Sequence, residues 1–177
     1  MKKKSISYRL ALAGVCLALA LILPGVVGHI PDIGRALSPM HLPVLLAGFL
    51  CGPWLGAAVG VLAPLLSSVI TGMPPFPMVV AMAFELAAYG LLTGLFYTKV
   101  FPKKFWGVCA SLVLAMLFGR IVWGIAMLCV MGLSGQGTFT WAAFVSGAFV
   151  TAVPAIISQI LLVPAIIAAL KKAKIME

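Results

Sequence analysis

Residues 76–97, FPMVVAMAFELAAYGLLTGLFY, and residues 106–132, WGVCASLVLAMLFGRIVWGIAMLCVMG, decide the fold. Each is long enough to cross a bilayer, whose hydrocarbon core takes roughly 20 apolar residues as a helix. Each also carries one ionisable side chain, Glu85 in the first and Arg120 in the second. A charge at membrane depth is expensive. It persists where it faces the protein interior, meets a partner or handles a polar ligand. These two residues are therefore the first candidates for function.

The rest of the chain agrees with a membrane assignment. Mean hydropathy is +1.24, 64% of residues are hydrophobic and only 8% are charged, more apolar surface than a water-soluble domain hides. Apolar runs bounded by Gly/Pro breaks fall at about 6–24, 37–52, 54–72, 76–98, 105–132 and 140–170. They occupy almost all of the 177 residues as one membrane domain, 1–177, with no soluble nucleotide-binding domain among them. If ATP drives a movement here, a partner hydrolyses it. The basic start followed by an apolar run is like a signal peptide, but no convincing small-x-small cleavage site precedes Pro24, so an uncleaved first span is expected.

The net charge of +9 does not point to nucleic acid, because of where the charges sit. Lys2, Lys3, Lys4 and Arg9 lead the first run, Lys99, Lys103 and Lys104 share one connection, and Lys171, Lys172 and Lys174 come after the last. Such juxtamembrane clusters set orientation through the positive-inside rule, with attraction to anionic inner-leaflet lipid as a second role. The run at 37–52 is short enough for a re-entrant segment, yet six spans put all three clusters on one side. The expected fold is an all-α integral membrane bundle of six transmembrane helices with both termini cytoplasmic. Its outer connections are then residues 25–37, which hold His29, Asp32 and Arg35, and those near 72–75 and 133–138. Ser38-Pro39 reads as a helix start, with Ser as cap and Pro in the first helical position.

Depth arithmetic links the two buried charges. At 1.5 Å rise per residue, Glu85 lies roughly 13 Å and Arg120 roughly 18 Å below the outer ends of neighbouring antiparallel spans. Two alternatives stay open: a structural ion pair, or contact of one or both with a polar ligand entering from outside. Gln159, near mid-depth in the last run between Pro154 and Pro164, and His41, at the outer start of the second run, could line the same cavity. Tyr89 and Trp123 fall about one helical turn from Glu85 and Arg120 on the same faces. Aromatic rings beside a charge suit a flat or partly apolar metabolite, and lipid-facing packing is the other possibility.

Small residues form a second pattern. Gly48, Gly52, Gly56 and Gly60 recur every four residues around Pro53, and Gly14 and Ala18 form a similar pair in the first run. Such spacing lets helix backbones approach closely, within the chain or against another subunit. Cys16, Cys51, Cys109 and Cys129 all lie inside apolar runs, without metal-ligand spacing, and read as small buried hydrophobes. Walker, H-E-x-x-H, Ser/His/Asp and paired-carboxylate patterns do not occur, and three acidic residues leave little for acid–base catalysis. Neither a metal, a cofactor nor a catalytic residue is expected.

Several stretches together resemble the substrate-binding S components of energy-coupling factor (ECF) vitamin transporters, in the pantothenate/folate-like branch. They are HLPVLLAGFLCGPWLG at 41–56, PLLSS at 64–68, TGMPP at 71–75, FELAAYGLLTG at 84–94 and FGR at 118–120, along with the size and basic termini. The resemblance implies a six-helix, non-enzymatic membrane protein of the bacterial cell membrane. It would capture a scarce vitamin at its outer face and dock on a transmembrane coupling protein that carries two ATPases. The family's first helix typically carries Ala-x-x-x-Ala for docking, and Gly14 and Ala18 occupy those positions. Among family substrates a buried Arg favours a carboxylate, which it grips through a bidentate fork. That makes pantothenate the first choice, with Gln159 or Glu85 on its hydroxyl and amide groups. The carboxylate of Glu85 leaves folate, pyridoxine or a thiamine precursor as alternatives. The competing class is a self-sufficient proton-coupled carrier with Glu85 as its proton site.

Overall fold

The computed structural model describes residues 5–27, 38–101, 104–134, 140–147 and 152–173. Among them no strand occurs, and the helices are α1 (Ile6–Val27), α2 (His41–Cys51), α3 (Pro53–Thr71), α4 (Met78–Leu95), α5 (Phe105–Ser134), α6 (Trp141–Val145) and α7 (Val153–Lys172). Five helices are long and apolar enough to cross a membrane: α1, α3, α4 with its extension to Val100, α5 and α7. At 11 residues, α2 spans only about 16 Å and is shorter than a bilayer core. The loop expected at 28–37, with His29, Asp32 and Arg35, lies outside the described residues.

The break between α2 and α3 is one residue wide. Gly52 has φ 87° and ψ 176°, a backbone state that L side chains rarely adopt, and Pro53 opens α3 at its first position. The chain reverses there, so α2 and α3 pack against each other. Their approach is close: a Cβ on Gly56 would lie 2.7 Å from the Cα of Gly48. The end of α2 has a further tie. The Arg9 Nε donates to the Cys51 carbonyl at 2.8 Å, and Nη2 bonds the same oxygen. Terminal helix carbonyls lack an intrahelical donor, and a basic side chain meets that need. Arg9 therefore does more than mark topology, since it pins α1 to the α2–α3 corner.

Glycine also sets the contact of α3 with α4, the most extensive in the bundle. Gly56 and Gly60 face Gly90 and Leu86 of α4 so closely that a side chain at either glycine would strike backbone carbonyls. The sequence offered internal packing or a partner surface for the Gly48–Gly60 series, and these four residues are used internally.

Two buried layers meet on α2. One joins Ala13, Cys16 and Ala20 of α1 to Val44, Ala47, Ala63 and Leu86, and the other joins Leu45, Phe49 and Tyr89 to Leu112, Met116, Val163 and Ile167. Short α2 is thereby buried on nearly all sides, and its N-terminal residue enters the middle of the bundle.

Three boundaries differ from the sequence expectations. Within the apolar run 140–170 the described residues hold α6, ending at Val145, and α7, beginning at Val153 with Pro154 in its first turn, while residues 148–151 lie outside the described residues. Proline lacks an N–H and clashes with the preceding turn, so it favours a helix start over a helix interior. Only Pro164 is internal to α7. Ser38 is not the cap of α2. It sits at φ 42°, outside the extended geometry that a capping side chain needs. Its carbonyl accepts from the His41 N–H at 3.0 Å, so α2 starts at His41. Finally, α1 runs through Pro24 to Val27, and α4 ends in a π-helical turn, Phe96–Val100, closed by the Phe101 N–H on the Phe96 carbonyl at 2.9 Å.

Candidate functional site

The face of α4 that carries Glu85 reads Met78, Met82, Glu85, Tyr89, a spacing that stacks side chains along one side of a helix. Glu85 is buried to 1% exposure, with Tyr89 fully buried one turn below it. The Tyr89 hydroxyl donates to Glu85 Oε1 at 2.9 Å. The Tyr89 ring fits because residue 119 on α5 is glycine: a Cβ there would strike the ring.

Arg120 follows that glycine and closes the pair. Its Nη1 lies 3.0 Å from Glu85 Oε1, and both side chains are buried. The ion pair considered from depth alone is present. Two charges removed from water need such a partner. His41 enters from the start of α2, with Nε2 3.8 Å from Glu85 Oε2 and its ring centroid 5.7 Å from that of Tyr89. At 3.8 Å, His41 and Glu85 are within ionic reach but beyond a hydrogen bond. Four residues from α2, α4 and α5 thus form one buried polar cluster.

Not every group in it is saturated. Neither ring nitrogen of His41, nor Nε of Arg120, has a hydrogen-bond partner among the described residues, although each is buried. Orphaned buried polar atoms are rare in proteins and call for an explanation. His41 lines a cleft of about 550 Å³ with Met40, Ser67, Met78 and Met82, at the end of the bundle away from Lys99, Lys104 and Lys171. Arg120 lines a smaller crevice of about 230 Å³ between α5 and α7, with Met116 and Ile156. The cluster therefore stands between two openings, His41 towards one and Arg120 towards the other.

The remaining sequence candidates divide. Gln159 is fully buried on α7, and neither Oε1 nor Nε2 has a partner among the described residues. No hydrogen bond joins it to Glu85 or Arg120. Trp123 packs elsewhere, with Ala81 and Met127, and stacks on Phe144 of α6 at 6.4 Å. Gly14 and Ala18 lie on the exposed side of α1, and nothing stands within 4 Å of a Cβ built on Gly14. The methionines of the larger cleft were not singled out from the sequence, although the 78, 82, 85, 89 spacing marks two of them as Glu85's neighbours. Among the described residues no group of His, Cys, Asp and Glu forms a metal site.

A membrane bundle with a buried, incompletely satisfied polar cluster beside a cleft is the arrangement of a small-molecule binding protein. Residues 8–167 match the family model of the ECF transporter, substrate-specific component. The chain belongs to that family. It is a membrane transport component that binds a small substrate and associates with an ECF module, and it is not of an enzyme family. No curated protein matches the sequence.

Proposed function

We propose that this S component captures a small water-soluble vitamin, pantothenate first among the candidates, at the outer face of a bacterial cell membrane. A transmembrane coupling protein with two ATPases then powers import. In this reading the chain crosses the membrane six times with both termini cytoplasmic, α2 being a short span, and the end bearing His41 faces outward.

The observation that carries the reading is the Glu85–Arg120 pair with its unused bonding capacity. Glu85 occupies Nη1 of the guanidinium, whereas Nε is buried and unpartnered. A ligand carboxylate can use that edge without breaking the internal pair, gaining the charge-assisted geometry in which Arg excels. Gln159 offers one amide donor and one acceptor for a hydroxyl or amide, and His41 offers its two nitrogens. Tyr89 holds Glu85 in place. Folate, pyridoxine and a thiamine precursor are the alternative ligands.

Gly14 and Ala18 supply the docking surface. Both are exposed on α1, and their small size lets a partner helix approach closely. Gly14→Leu or Ala18→Leu is expected to abolish vitamin uptake by cells that hold the complete transporter, while the purified variant binds vitamin as wild type does. Loss of binding alongside uptake would remove the docking assignment. Uptake by proteoliposomes containing this chain alone, driven by a proton gradient, would instead establish a carrier with Glu85 as its proton site.

A further inference from the structure

The chemistry of the captured molecule follows from which polar atoms face the larger cleft, and it rests on the capture function proposed above. Glu85 Oε1 is committed twice, to Arg120 at 3.0 Å and to Tyr89 at 2.9 Å. Oε2 lies 3.8 Å from His41 Nε2, beyond hydrogen-bond length. Both His41 nitrogens are unpartnered in a residue that is 5% exposed and lines the cleft of about 550 Å³.

The Ser67 and Thr71 hydroxyls on that wall are engaged. Ser67 donates to the Met73 carbonyl at 2.8 Å, and Thr71 donates to the Ser67 carbonyl at 2.8 Å. Among the described residues no Lys, Arg, Asp or Glu lines the cleft, and Met40, Met78 and Met82 form much of its surface. Arg120 opens onto a different crevice, with Met116 and Ile156. An anionic group in the larger cleft would give up its water and meet no Lys or Arg among the described residues, a steep penalty in an apolar site. A hydrogen-bonding hydroxyl or N–H group would instead find the unpartnered nitrogens of His41. Methionine is flexible and polarizable, and it packs well on both branched aliphatic and aromatic bodies.

We infer that the part of the ligand entering this cleft is uncharged and hydrogen-bonding: a hydroxyl or N–H group aimed at the ring nitrogens of His41, on a branched or aromatic body held by Met40, Met78 and Met82. Any carboxylate of the vitamin lies at the other end of the molecule. His41 is then a specificity-determining residue, because it contributes the donor-or-acceptor atom that distinguishes one head group from another.

The test is calorimetric titration of the purified full chain with five named probes. Pantothenate, its neutral alcohol panthenol, and pyridoxine carry hydroxyl donors, whereas nicotinate and lipoate are carboxylates without one. At least one of the first three is expected to bind, with nicotinate and lipoate at least 100-fold weaker. For the probe that binds, His41→Leu is expected to lose about 10- to 100-fold in affinity, the usual consequence of removing a buried hydrogen-bond partner. His41→Gln, which keeps a donor and an acceptor, is expected to recover most of it. Preferential binding of nicotinate or lipoate overturns the inference and leaves vitamin capture standing, as does unchanged affinity in His41→Leu. Failure of all five, extended to a full vitamin panel, takes down capture itself and this inference with it. The probe series is read on wild-type protein, so it decides the matter even if His41→Leu does not fold.

Discussion

Arg120→Ala is expected to destabilise the detergent-solubilised protein by about 3–5 kcal/mol and to abolish vitamin binding. The stability part comes from Glu85, which would be left buried at 1% exposure with Tyr89 as its remaining close hydrogen-bond partner. Removing one member of a buried pair strands the other charge, and that penalty exceeds the net worth of the pair. The binding part comes from the Nε edge of the guanidinium. A double variant separates the two. Glu85→Gln with Arg120→Met removes both charges, keeps an acceptor for the Tyr89 hydroxyl and preserves volume, so most of the lost stability should return. Binding should not. Thermal unfolding and calorimetry on the single and double variants check this directly. Recovery of binding together with stability in the double variant would make the pair purely structural and would displace Arg120 from the site.

The second large effect is expected in the packing of α3 on α4. Gly90→Val should prevent recovery of a monodisperse folded protein, a loss of roughly 3 kcal/mol or more, at the upper end for an overpacked core. A Cβ at residue 90 would meet the Gly56 carbonyl and lie 2.9 Å from the Ala57 nitrogen. Those are backbone atoms, which cannot rotate aside as a side chain does. Gly60→Val should behave alike, since its Cβ would strike the Leu86 carbonyl. Gly14→Leu is the control: its Cβ points into open space, so folding should survive. Size-exclusion profiles of the three variants make the comparison, and a well-folded Gly90→Val would contradict the close approach of α3 and α4.

These glycines also illustrate what the sequence could and could not say. Their four-residue spacing announced a close helix contact, but spacing alone did not decide between a neighbour in the chain and a partner subunit. Gly56 and Gly60 proved internal, and Gly14 proved outward-facing. Similarly, depth arithmetic placed Glu85 and Arg120 at comparable levels, and they pair at 3.0 Å. Tyr89 followed from its i+4 relation to Glu85. His41 was legible as a candidate, but its position depends on the one-residue turn at Gly52 that folds α2 into the bundle. Trp123 is one turn from Arg120 in sequence, and its ring stacks on Phe144 of α6, a contact that spacing along α5 alone does not indicate. Arg9 was read as a topology signal, because nothing local indicates that it reaches Cys51, 42 residues away. Periodicity fixes which residues share a helix face, whereas the identity of the opposing face is a long-range property of the fold.

In the proposed site few polar residues would suffice, because in a bilayer each group acts in a medium of low dielectric where unmet hydrogen bonds are costly. The same economy makes every member of the cluster sensitive to substitution.

Vitamin capture is tested most directly by mass spectrometry of small molecules that co-purify with the wild-type chain, run beside the Glu85→Gln/Arg120→Met variant. The expected result is a single water-soluble vitamin in stoichiometric amount with the wild type and none with the variant. A wild-type protein that purifies empty and ignores the same vitamins in titration would contradict capture, and an equal amount of vitamin on both proteins would contradict the site.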